Sequence, residues 1–101
     1  MPLADQAPWT NSHERRRHFH KHRQQFPHLT EDGYDASARA TIRTGKRFTY
    51  EDSGQRKRRV GYYDPYTQRF TALNEAETNV LTHYRCLERY VRNLPASDYR
   101  R

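Results

Sequence analysis

The chain has 101 residues, 33% of them apolar and 31% charged, with a formal charge of +7. That length fits one domain with a small core, and an isoelectric point near 9.9 points to a polyanionic partner, with nucleic acid ahead of an acidic protein or a membrane surface. The single cysteine, Cys86, excludes an internal disulfide and a cysteine-rich zinc framework, and no apolar run approaches the roughly 18 residues of a membrane span.

Residues 1–11 carry two prolines and read as a flexible lead, with Trp9 available to dock on the body. The opening "MPLADQAPW" lacks the basic start and apolar middle of a signal peptide. Residues 12–101 form one domain. From Ser12, taken as an N-cap, the pattern turns helical, because Phe19, His22 and Phe26 recur at helical spacing and share one face, and Pro27 ends the segment. His22 then sits at the edge of the buried stripe with His18 one turn before it, while His20 points elsewhere.

Thr30, followed by Glu31 and Asp32, caps a second helix with a stripe of Tyr34, Ala38 and Ile42, and Gly45 stands where a glycine would stop it. Ala36, Ala38, Ala40 and Ile42 also alternate as in a strand; the caps decide for helix. After Gly45 the texture becomes β. "KRFTYED" and "RRVGYYD" are strands, "DPYT" is a turn with proline at its second position, and "QRFTALN" completes a hairpin. Asn74 to Thr78 forms a connection. "NVLTHYR" is a strand with Val80, Thr82 and Tyr84 on one face and Leu81, His83 and Arg85 on the other. His83, opposite Thr82, reads as structural or solvated. "CLERYVRNL" is either a terminal helical turn or an extended tail. The fold class is therefore α+β, with two N-terminal helices packed on a small three- to four-stranded antiparallel sheet.

The stretch "RRRHFHKHRQQF", from Arg15 to Phe26, concentrates the chemistry. His18 and His22 have the spacing of a metal-binding pair, but a third ligand would have to come from afar, and neither an HExxH pattern nor a cysteine pair is present. No metal or other cofactor is expected. Metal-free RNA cleavage asks for other groups: a base to take the 2′-OH proton, cations and hydroxyls to stabilise the phosphorane, and an acid to protonate the leaving 5′ oxygen. Histidine transfers protons in both directions near neutral pH, lysine, arginine and threonine can hold the charged oxygens, and tyrosine can stack an unpaired base.

In order and spacing, "HFHKHRQQF", a capped helix, "VGYYDPYTQRFTAL" and "VLTHYR" resemble the ribonuclease toxins of the barnase, EndoU, colicin and RelE (BECR) superfamily, in particular colicin D-like and contact-dependent inhibition toxin domains. The matching positions are Lys21, His22 and Phe26; Tyr63, Asp64, Pro65 and Thr67; and Thr82, Tyr84 and Arg85, within residues 13–90. The chain departs from the family pattern in the weak apolar stripe of "DGYDASARATIR", in the loop "NEAET", and in the histidine between Thr82 and Tyr84. The last bears on which way Thr82 faces.

With that resemblance, the residues and the chemistry together assign His22 as base or acid, His18 as the second proton carrier, Lys21 and Arg85 as phosphate stabilisers, Thr82 as a hydrogen-bond donor and Tyr84 as a stacking group. Which histidine is base and which is acid stays open. Dense positive charge around the helix should depress a histidine pKa and keep His22 neutral enough to act as a base. Arg15, Arg16 and Arg17, with Lys57, Arg58 and Arg59 of "QRKRR", are candidates for tracking an RNA backbone.

The expected protein is an endoribonuclease toxin domain, a monomer with no membrane association, cleaving tRNA or another structured RNA to a 2′,3′-cyclic phosphate. The resemblance implies an acidic immunity protein as partner, and action in the cytoplasm of a target cell after delivery as the C-terminal domain of a secreted toxin. The alternatives are a non-catalytic basic RNA-binding module and a small interaction or regulatory protein.

Overall fold

The computed structural model describes residues 3–100. Its elements in chain order are α1 (Ser12–His22), α2 (Glu31–Thr44), β1 (Lys46–Glu51), β2 (Arg58–Asp64), β3 (Arg69–Asn74), β4 (Val80–Arg85) and α3 (Glu88–Arg92). The strands form one antiparallel meander in the order β1-β2-β3-β4, the α+β class expected.

Helix α1 begins one residue earlier in capping terms than Ser12 implies. Asn11 is the N-cap, its side chain accepting from the Glu14 N–H at 2.8 Å. The α-helix also ends at His22, short of Pro27, and the chain tightens into a 3-10 turn over Arg23–Gln25. That turn brings Gln25 beside the outer edge of β4, where its amide oxygen accepts from the Arg85 N–H at 2.9 Å and its amide nitrogen donates to the Arg85 carbonyl at 3.2 Å. An edge strand is thereby closed by a side chain.

Helix α2 follows its sequence pattern. Thr30 caps it by accepting from the Gly33 N–H, and Tyr34, Ala38 and Ile42 are buried against the sheet. Gly45 stops it for a different reason from a left-handed cap, since its φ is −80°. A β-carbon there would stand 2.5 Å from the Thr41 carbonyl oxygen and 3.0 Å from the Tyr63 nitrogen. The helix can pass so close to β2 only without one.

Alternation divides the sheet into two faces. One packs on α2, where Val80 and Leu73 join Trp9, Phe26, Tyr34, Ala38 and Ile42 in one core. On the other, Phe48, Tyr50, Tyr63, Phe70 and Ala72 meet Val91 of α3 and Tyr99. The segment "CLERYVRNL" is thus a short helix followed by a tail that runs along β1, with Glu51 N–H to Pro95 and Asp98 N–H to Thr49. The lead expected to be flexible is laid on the body over residues 3–11. Trp9 is buried, bridges to Val80, and donates through its indole N–H to Asp35 at 2.7 Å, while Arg39 donates to the Asp5 and Ala7 carbonyls.

One irregularity changes the facing of β4. Ala72 pairs with Thr82 but Leu73 pairs with Val80, so Leu81 is an extra residue in the edge strand. Val80 therefore lies on the α2 face with His83, and Thr82 and Tyr84 lie on the opposite one. The simple alternation that grouped Val80 with Thr82 and Tyr84 fails at this bulge.

Candidate active site

The bulge turns Thr82 toward α1, which packs against β4. Between them opens a cleft of about 540 Å³ lined by His18, Lys21, His22, Thr82 and Tyr84, with Arg17 and Arg59 among its cations. That volume falls in the usual range for small-ligand sites. Five of the six residues assigned to catalysis thus come together. Glu14, Gln55 and Tyr90 also line the cleft; none is assigned to the site from the sequence, although Gln55 opens the run "QRKRR", and Tyr90 arrives from α3.

The imidazoles of His18 and His22 are stacked, with centroids 6.1 Å apart, as one helical turn allows. His18 is held on both nitrogens. Nε2 lies 3.3 Å from an Arg17 nitrogen, which can only donate, so Nδ1 carries the proton and donates to the Thr82 hydroxyl at 3.1 Å. His22 instead lies against the Tyr84 ring, 5.0 Å between centroids, and its ring nitrogens make no hydrogen bond to a described residue. Tyr84 is fixed in turn by the Tyr90 hydroxyl at 3.1 Å and by an edge contact with Phe70.

Burial is the main cause of the altered basicity of both histidines. It pushes His22 down to about 4, helped by Lys21 and His18. His18 is lowered by burial first and by Arg17 second. Both are neutral at pH 7, as charge density alone suggests for His22, although desolvation does more than charge. Burial and the Tyr90 hydrogen bond push the Tyr84 phenol up, so it stays protonated.

The cations divide sharply. Arg17 is tied to Glu14 through two contacts of 2.7 and 3.1 Å, and Arg59 to Asp52 at 3.0 Å. Lys21 has no ion-pair partner among the described residues. Arg15 makes a two-pronged contact with Glu31, and Arg16 shares that carboxylate. These two hold α1 to α2 and lie outside the cleft. Lys57 and Arg58 flank a neighbouring groove beyond Arg59 with Asn74 and Leu81; Arg58 also bonds the Thr49 hydroxyl and the Ala96 carbonyl. Arg85, assigned to the phosphate, is exposed on the face opposite Thr82 and Tyr84, and pairs across the sheet with Arg69. It does not line the cleft, because alternation turns the residue after Tyr84 away.

Among the described residues no three histidine, cysteine, aspartate or glutamate side chains are grouped to hold a metal ion, and no helix is long and apolar enough to cross a membrane. Comparison with protein-family models, with curated proteins and with solved structures finds no match.

Proposed function

We propose that the protein is a metal-independent endoribonuclease toxin domain acting on tRNA or another structured RNA. The observation that carries this reading is the cleft itself: two neutral, stacked histidines on α1 face a threonine hydroxyl and a tyrosine ring on β4, with Lys21, Arg17 and Arg59 around them. Such a site offers proton transfer, cations for a phosphate and a ring for an unpaired base without a metal. The order of the motifs, which resembles that of BECR toxins, supports the same reading.

His22, neutral and with ring nitrogens that make no hydrogen bond to a described residue, is the base that takes the 2′-OH proton. The freed 2′ oxygen attacks phosphorus, and the bond to the 5′ oxygen breaks. Lys21, Arg17 and Arg59 stabilise the negative charge on the non-bridging oxygens, with the Thr82 hydroxyl close by. His18 returns a proton to the leaving 5′ oxygen. A phosphodiester beside it favours its charged form and draws Arg17 off its Nε2. The products are a 2′,3′-cyclic phosphate and a 5′-OH.

An acidic immunity protein would cover the same basic opening, and charge complementarity would speed their encounter. Delivery as the C-terminal part of a secreted toxin, with action in the cytoplasm of a target cell, completes this reading. One observation favours a second one: Lys21, Arg17 and Arg59 beside the Tyr84 and Tyr90 rings can hold RNA by charge and stacking alone, as a non-catalytic RNA-binding module would.

Incubation of the protein with total cellular RNA in EDTA, followed by end mapping, separates the two. Discrete fragments ending in 2′,3′-cyclic phosphate are expected. Intact RNA that the protein nonetheless retains in a salt-sensitive way would overturn the enzyme and leave the binding module.

A further inference from the structure

Tyr90 has two sides. One faces the histidine cleft, where its hydroxyl meets that of Tyr84; the other lines a mostly apolar groove of about 490 Å³ with Leu87, Leu94 and Pro95. Leu87 and Tyr90 are 47% and 45% exposed, among the most exposed large apolar side chains of the described residues. The groove's lining includes Arg89 and Asn93 and no carboxylate among the described residues. Arg89 makes no ion pair with a described residue.

An apolar slot with a cation and an amide at its rim suits a flat, apolar body attached to an anion. A nucleotide has that composition: the ring can stack on a tyrosine and contact leucine, while arginine and asparagine meet a phosphate or the polar edge of the base. The groove also adjoins the cleft through one shared side chain, so a single nucleotide step can span both. Tyr84, half-buried in the cleft wall, and the exposed Tyr90 beside the groove give successive bases two rings to meet.

We propose that this groove holds the unpaired base next to the phosphate bound in the histidine cleft, so that the protein selects RNA that is single-stranded at the cleaved bond. The inference rests on the ribonuclease reading for the phosphate, while the base site stands on the groove. A base engaged in a duplex is stacked on both faces and cannot enter. Selection therefore acts on strandedness first and on base identity through Arg89 and Asn93.

The test uses the full chain and a dinucleoside monophosphate carrying a 2′-deoxy sugar at the attacking position, which cannot be cleaved. Its binding is followed by NMR at the Leu87 and Leu94 methyls for the groove and at the His18 and His22 rings for the cleft, with ribose 5-phosphate as the probe that lacks a base. The dinucleotide is expected to shift both sets of signals, and ribose phosphate the cleft alone. Leu87→Asp, at an exposed position, is expected to weaken dinucleotide binding about tenfold or more and to leave ribose phosphate binding unchanged.

Shifts confined to the cleft with both probes would overturn the base site and leave the ribonuclease reading standing, as would equal groove shifts from ribose phosphate. Groove shifts from the dinucleotide in a protein that cuts no RNA would uphold the base site and overturn the nuclease. Silence at both sites with millimolar probe would overturn both.

Discussion

Two histidines, His83 on β4 and His22 at the end of α1, sit in opposite settings. On the α2 face His83 is fully buried: its Nδ1 bonds the Phe70 carbonyl and the Thr71 hydroxyl at 2.9 Å, and its Nε2 lies 2.8 Å from the Ser37 hydroxyl. Thr71 donates onward to the Ala38 carbonyl, and Ser37 accepts from Arg69. These directions put a proton on Nδ1, and because burial holds the ring neutral, Nε2 accepts from the Ser37 hydroxyl. The Tyr34 hydroxyl bonds its carbonyl as well. On the α1 side His22 is only half-buried and leans on Tyr84 over an open cleft, and its ring nitrogens make no hydrogen bond to a described residue. Both imidazoles are kept neutral by burial. What separates the two is hydrogen-bonding capacity: it is met on both nitrogens of His83, and it faces the cleft at His22, the histidine proposed to transfer a proton.

The sharpest way to break that contrast is His83→Ala. It opens a cavity beneath α2 and leaves the Ser37 and Thr71 hydroxyls without their partner, so urea unfolding should show a loss of about 3 kcal/mol or more. A loss below about 1 kcal/mol would mean that the network contributes little and that the distinction drawn between the two settings is wrong.

Stability against pH sharpens it further. An unfolded histidine takes a proton near 6.5, whereas burial holds His83 down to about 3. Between those values the unfolded chain binds more protons, so stability present above pH 6.5 is lost as the pH falls through the window, by at most about 1.4 kcal/mol per pH unit for one group. His22, lowered to about 4, adds in the same direction over a shorter range. Denaturant melts from pH 7 to 4 should show this decline, and the decline should be shallower in His83→Gln.

The smallest expected effect concerns charge. Lys21→Ala should reduce the salt dependence of RNA binding by about one phosphate contact. Arg16→Ala should leave it nearly unchanged, since Arg16 shares Glu31 with Arg15. Equal reductions, read from log-log plots of affinity against salt, would return the whole "RRR" run to the binding surface.

The range of the forces involved decides how much of the molecule is legible in the sequence. Thr30, the stripe of Tyr34, Ala38 and Ile42, and the proline turn act within a few residues, and α2 and the β2–β3 hairpin form where those signals place them. The pairing of His18 with His22 across one turn is equally local. The facing of Val80 is not readable, because the bulge at Leu81 is decided by what β3 offers across the ladder. Arg15 and Arg16 look like free charge in the sequence, since Glu31 is distant along the chain and near only after α1 folds onto α2. Tyr90 and its groove depend on α3 crossing to the cleft, which no spacing in the chain announces. For His83 the sequence leaves structural and solvated roles open. Its neighbours decide for structural: Ser37, Thr71 and the Phe70 carbonyl converge on it from α2 and β3.

The central claim, that His22 is the proton-transferring group, is tested most directly by His22→Ala assayed beside the wild type for RNA cleavage in EDTA, with urea midpoints from the same preparations. The claim predicts a rate lower by about 10² to 10⁴, with the midpoint within the range of an ordinary surface substitution. Cleavage at the wild-type rate by a folded His22→Ala protein would contradict it.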